Sequence, residues 1–149
     1  ESRIEGYRNF VTKIWNAARY LEMNDCRFDS EFDISSVKAA PNKWIIGKTL
    51  DTLKLINQSY IKFRFNDTAN NLYNHIWGVF CDWYIEFSKS LLNNESEKTA
   101  QETRKTLALA FIACLKMLHP IMPFVTEHLW KQIDFINQNS SIFKRNLTA

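Results

Sequence analysis

Apolar residues recur every three or four positions through Tyr7 to Leu21, YRNFVTKIWNAARYL, the spacing that lines one side of an α-helix. On a helical projection, Ala17, Phe10, Leu21, Ile14, Tyr7, Ala18, Val11, Ile4 and Trp15 share one arc, which predicts a core-facing wall. Arg8, Arg19, Thr12, Asn16, Asn9 and Lys13 fall opposite, and Tyr20 lies among them, between Asn16 and Lys13, on the side that should meet water. This first helix should run from about Arg3 to Met23 and stop at Asn24-Asp25, whose side chains compete for backbone hydrogen bonds.

The same periodicity predicts four further helices. Asp25 to Pro41 reads as a long connection anchored by Phe28, Phe32 and Ile34. A second helix enters with Asn42 as N-cap and extends to about Phe65, with Ile45, Ile46, Leu50, Leu53, Ile56, Tyr60, Ile61 and Phe63 on one broad side. The third, about Thr68 to Leu92, is apolar nearly all round except for a stripe of His75, Asp82, Glu86 and Lys89, and should be the buried centre of a bundle. A charged lead-in, EKTAQETRK, opens the fourth, which ends at His119-Pro120. Pro120 and Pro123 bracket a tight crossing into a fifth, about Phe124 to Ile133, that packs Val125, Leu129 and Trp130 inward. The expectation is an all-α helical bundle of about five helices over 3–133, followed by a weakly patterned tail at 134–149 in which Lys144 and Arg145 could touch phosphate.

Composition agrees. The 149 residues suit one domain, and with only three Gly and three Pro the chain favours long helices over many turns. Cys26, Cys81 and Cys114 are odd in number and widely spaced, which indicates neither a disulfide framework nor a zinc site but reduced, buried thiols in a cytoplasmic protein. No apolar run has the length of a membrane span, and the N-terminus lacks the layout of a signal peptide. A start at Glu1 that enters almost at once into a helix suggests a piece of something larger.

Catalytic chemistry finds little support. Gly6, Gly47 and Gly78 are isolated within helical patterns and form no phosphate-cradling loop, and Cys81 and Cys114 have no evident activating base. His75, Asp82 and Glu86 fall in one row that could be read as a metal or acid/base site. A solvated stripe with a Glu86 to Lys89 pair accounts for it better, since metal sites in bundles draw ligands from several helices. His119 and His128 are too far apart for ligation along one helix and read as structural.

The outer face of the first helix holds more. A ring beside amides and cations is what unpaired bases need: a stacking surface, a donor and acceptor for a base edge, and positive charge for phosphate. A net charge of +3 is compatible with such a partner without demonstrating one. Asp29, Glu31 and Asp33 would repel phosphate, so their loop is expected to lie away from any RNA backbone. Alternatives are that Tyr20 ends an ordinary solvated face, that the face binds a protein, or that the His75 row serves an enzyme.

Four segments then carry a resemblance. KIWNAARY at Lys13 to Tyr20, KWIIGKTL at Lys43 to Leu50, YIKFRFNDTANNLYNHIWGVFCDWYIEFSK at Tyr60 to Lys89, and LHPIMPFVTEHLW at Leu118 to Trp130 resemble, in order and spacing, the anticodon-binding domain of the valyl-tRNA synthetases, class Ia aminoacyl-tRNA synthetases. The isoleucine and leucine enzymes share the helical architecture and the HPIMPF-like turn. The resemblance implies a helical bundle that binds the anticodon loop of a tRNA, attached in the parent to catalytic and editing domains, in a monomeric protein. It implies no catalytic role and no cofactor for this piece, because the HIGH and KMSKS signatures do not occur in it; ATP with magnesium would belong to the parent. Carried over residue by residue, it implies RNA contacts for Lys13, Asn16, Arg19 and Tyr20, where Tyr20 stands in place of the commoner Phe, and weaker contacts for Arg8 and Asn9.

Overall fold

Five helical rods make up the computed structural model, which describes residues 2–132. They are α1 (Ser2–Met23), α2 (Ala40–Ile61), a long central rod, α5 (Glu97–Leu118) and α6 (Pro123–Gln132). The long rod is α3 (Phe65–Tyr73) and α4 (Ile85–Asn93), joined without a break by a π-helix at Asn74–Tyr84. No strand occurs among the described residues, and the all-α bundle is as the sequence predicts. Ile133 and the tail that follows, with Lys144 and Arg145, lie outside the described residues.

Both long helices before the central rod end in the same way. At the end of α1 the Cys26 N–H donates to the Leu21 carbonyl at 3.0 Å and the Asp25 N–H to that of Glu22 at 3.2 Å, with Asp25 at φ 55°. At the end of α2 the Arg64 N–H donates to the Ser59 carbonyl at 2.8 Å and the Phe63 N–H to that of Tyr60 at 3.1 Å, with Phe63 at φ 56°. Each pair of bonds is a Schellman closure, which satisfies the last carbonyls at the cost of a left-handed residue.

The entry to α2 departs from the expected cap. The helix begins at Ala40, its N-cap is Ala39, and Asn42 is fully buried one turn inside. The capping carboxylate comes from α5: Glu102 accepts the N–H groups of Lys38 at 2.8 Å and Ala39 at 3.1 Å, together with the Asn42 amide at 2.9 Å. Asn42 also donates to Thr103 Oγ1 at 3.0 Å and accepts the Tyr84 hydroxyl at 2.6 Å, so α2, α5 and the central rod meet at one satisfied polar knot.

The centre of the bundle is α5 and not the third helical segment. α5 buries Leu107, Ala108, Ala110, Phe111, Ile112, Cys114, Leu115 and Leu118, and packs against α1, α2, α4 and α6. Its alanines let neighbours approach closely, and its buried Thr103 and Thr106 return their hydroxyls to carbonyls one turn back at 2.8 Å. The central rod, apolar as it is, leaves Trp83 59% exposed.

The π-helix explains how that rod serves several neighbours at once. Its turns are wider than those of an α-helix, the Ile85 N–H reaching back five residues to the Phe80 carbonyl, so residues four apart come nearly into line. Ile76, Phe80, Tyr84 and Ser88 are all buried, with Phe80 6.0 Å from Phe111 of α5. His75 and Phe87 instead turn to α2, against Thr52 and Trp44. Tyr73 and Trp77 turn to α1, where both stack with Phe10.

Candidate nucleic-acid interface

α1 lies beside the central rod and runs in the same direction. Phe10 stacks on Tyr73 at 5.4 Å, Lys13 sits over Trp77 at 4.7 Å, and Tyr20 bonds to Ser88 at 2.9 Å. Phe10, Ile14, Ala17, Ala18 and Leu21 are buried as the periodicity predicts, and they fix which side of α1 faces out. Ile4 and Tyr7 continue the same stripe but are exposed, because no described residue covers the first turns.

The outward side carries Arg8, Asn9, Thr12, Asn16 and Arg19, all exposed. Of the predicted contact residues, the side chains of Arg8, Asn9, Asn16 and Arg19 form no hydrogen bond or ion pair with a described residue, which leaves two amides and two cations available to a ligand.

Lys13 and Tyr20 are placed differently from the expectation of a wholly solvated face. The Lys13 ammonium pairs with Asp82 and covers the face of Trp77, so its charge is half-screened by the protein itself. Tyr20 is half-buried against the core, with its hydroxyl held by Ser88. The wider π turns bring Asp82 and Ser88 to the α1 side of the rod, which straight α-helical counting along the sequence does not anticipate. Burial pushes the Tyr20 phenol above its ordinary value, and the Ser88 bond only partly offsets this, so the hydroxyl stays protonated. Part of a fixed ring remains at the surface, near the Glu86–Lys89 ion pair.

Three residues whose part in this face the sequence reading did not anticipate therefore shape it: Trp77 beneath Lys13, Asp82, read there as part of the His75 row, beside it, and Ser88 beneath Tyr20. The α-helical repeat hides them, since Trp77 and Asp82, both against Lys13, are five apart and would lie about 140° from one another on an α-helix.

The His75 row does not hold together. His75 is buried against α2, its Nδ1 at 3.2 Å from the Thr52 hydroxyl, whereas Asp82 and Glu86 are exposed and paired with Lys13 and Lys89. His119 packs into the turn before α6, its Nδ1 2.8 Å from the Thr126 hydroxyl, and His128 stacks on Trp15 at 6.3 Å. The three thiols are buried, and burial pushes those of Cys26 and Cys81 up to about 12, far from a reactive thiolate. The acidic loop is turned to α5, where Asp29 pairs with Lys105 at 3.2 Å, and Asp33 caps the short 3₁₀ turn Ile34–Ser36. Beneath that loop a cleft of about 440 Å³ gathers Arg27, Arg104 and Lys105 with Asp25 and Asp29.

A helical bundle that secures one side of its first helix and presents amides and cations on the other has the build of a module for binding RNA. Comparison with known proteins makes the assignment specific. Residues 42–148, more than two thirds of the chain, match the family described as the anticodon-binding domain of tRNA ligase, and the chain belongs to that family. It is 46% identical over 132 residues to a valine-tRNA ligase of Caulobacter vibrioides, 47% over 134 residues to one of Ruegeria pomeroyi, and 45% over 129 residues to one of Rhodopseudomonas palustris. These alignments cover 89%, 87% and 87% of the chain but 15%, 13% and 14% of the relatives, so the chain spans about a seventh of the length of the proteins it matches.

Proposed function

We propose that this chain binds the anticodon loop of a valine tRNA on behalf of a parent valine-tRNA ligase, through the outward side of α1. Membership of the anticodon-binding family supports the reading, and the observation that carries it is the unengaged set Asn16, Arg19, Arg8 and Asn9 along one helix face. Asn16 reads a base edge, Arg19 holds a phosphate or a base acceptor, and Arg8 and Asn9 reach the stem side of the loop. Tyr20 offers the exposed part of a ring already fixed by Ser88, so little entropy is lost when a base stacks on it. Lys13 joins the contact by sharing its charge between Asp82 and a phosphate.

Valine, ATP with magnesium, and the editing chemistry belong to the remainder of a monomeric parent, which acts in cytoplasmic translation. No helix among the described residues is long and apolar enough to cross a membrane.

The test is a titration of the 149-residue chain with anticodon stem-loops of valine and isoleucine tRNAs at two salt concentrations. Arg19→Ala should weaken binding of the valine stem-loop by about 1 to 3 kcal/mol and flatten its salt dependence by roughly one phosphate contact. Equal affinity for the two stem-loops, or an Arg19→Ala variant that binds as the native chain does, would overturn the reading.

A further inference from the structure

The corner between α2 and α3 gathers exposed apolar side chains around one left-handed residue. Phe63 occupies the left-handed closing position of α2, at φ 56°, where glycine is the usual occupant and a bulky side chain is strained. The closing bonds of α2 hold that conformation, while the Phe63 side chain is 79% exposed and meets the Phe65 ring edge to face at 6.4 Å. Its neighbours are open too: Ile61 is 78% exposed and Phe65 59%. Beneath them the Tyr60 hydroxyl is buried without a hydrogen-bond partner among the described residues.

The location adds to this. α1 runs parallel to the central rod, so Phe10, beside Tyr73, fixes the level of its first turns, and Ile4 (60% exposed) and Tyr7 (51%) extend the buried stripe of α1 toward the end of the bundle where the corner sits. Arg19 and Tyr20 lie at the other end, level with Ser88, roughly 30 Å away along the rod. Two elements thus run out of cover at one end, away from Arg19 and Tyr20.

We infer that this end of the bundle, centred on Ile61, Phe63 and Phe65, is a docking surface for another domain of the same parent polypeptide, and that Phe63 inserts into it. The inference rests on the proposal that the chain works within a larger ligase, and the relatives, some seven times longer, supply the remaining polypeptide. Aliphatic Ile61 and Ile4, exposed beside these rings, gain from contact with an apolar protein surface. Lys62 and Arg64, which flank Phe63, call for an acidic rim on the partner.

Hydroxyl-radical footprinting, which reads side-chain exposure directly, tests the assignment. Phe63 and Phe65 should oxidise readily in the 149-residue chain and severalfold more slowly in the full-length ligase polypeptide without tRNA. Phe63→Gly should relieve the left-handed strain and raise the melting temperature of the 149-residue chain by about 2 to 4 °C. The same substitution in the full-length polypeptide should restore oxidation of Phe65, while stem-loop binding by the 149-residue chain stays unchanged. Four results would overturn the inference: equal oxidation in chain and full-length polypeptide; protection that appears only with tRNA, which marks an RNA surface; protection in the 149-residue chain that grows with concentration, which marks a second copy; and concentration-independent protection in that chain, which marks cover from within it. Loss of stem-loop binding by the native chain would instead count against the proposed function and leave the footprint to be judged separately.

Discussion

His75 concentrates the electrostatics of the core in one side chain. Its ring is buried, Nδ1 meets the Thr52 hydroxyl, and Nε2 is buried without a partner among the described residues. A protonated imidazole there would hold an uncompensated charge, and burial lowers its pKa from 6.5 to about 4. Because the folded value lies below the unfolded one, the unfolded chain takes up the proton first. Stability should therefore be constant above pH 6.5 and decline as the pH falls toward 4, by up to about 3 kcal/mol. Denaturant melts at pH 7 and pH 5 read this directly, and His75→Phe, which keeps the ring and removes the titration, should abolish most of the difference. An undiminished difference in that variant would place the acid sensitivity elsewhere.

The helices themselves were legible as elements, and the groove between two of them was not. The boundaries of α1, α5 and α6 follow from apolar spacing and from side chains that stop or start helices, such as Asp25 and Ser96, whose hydroxyl accepts the Thr99 N–H. The exposed set on α1 was legible for the same reason, since the buried stripe leaves Asn16 and Arg19 nowhere to point but outward. The partners of Lys13 and Tyr20 were hidden because they depend on the π-helix, whose turns rotate Asp82 and Ser88 toward α1. A periodicity read at the α-helical repeat gives that rod the wrong faces, which is also why it puts His75 in one row with Asp82 and Glu86. The resulting ion pair carries a prediction at this scale. With Asp82→Asn the Lys13 ammonium loses its acidic partner while its seat over Trp77 remains, so phosphate no longer competes with a carboxylate. Affinity for the valine anticodon stem-loop should rise by about 0.5 to 1 kcal/mol, with a steeper salt dependence. A fall in affinity would mean that Asp82 positions Lys13 for RNA instead of restraining it.

At the scale of the molecule, one carboxylate does much to decide how the bundle is assembled. α2 reaches the central rod and α5 from a long connection that contributes few regular hydrogen bonds, and its first turn has no side-chain cap of its own. Glu102 supplies that cap from α5, favourably placed at the positive end of the α2 dipole, while Asn42 passes the connection on to Tyr84. Its surroundings act on its pKa in opposite directions: partial burial raises it, and the bonds from Asn42, Lys38 and Ala39 outweigh that and hold it below its ordinary value of 4.5. A depressed carboxylate stabilises the fold above its unfolded pKa and stops doing so as the pH falls through its folded one. The loss through Glu102 thus begins below about pH 4.5, where the His75 loss is largely complete, and the two should appear as successive phases of acid unfolding. Glu102→Gln keeps the shape but turns one acceptor into a donor facing other donors, so it should cost about 1 to 3 kcal/mol at pH 7 and remove the lower phase while leaving the upper one intact. Chemical melts of the native chain, His75→Phe and Glu102→Gln from pH 7 to pH 3 separate the contributions. If Glu102→Gln erased the upper phase as well, the two residues would belong to one cooperative switch, and the tie between α2 and α5 would extend through the core to Thr52.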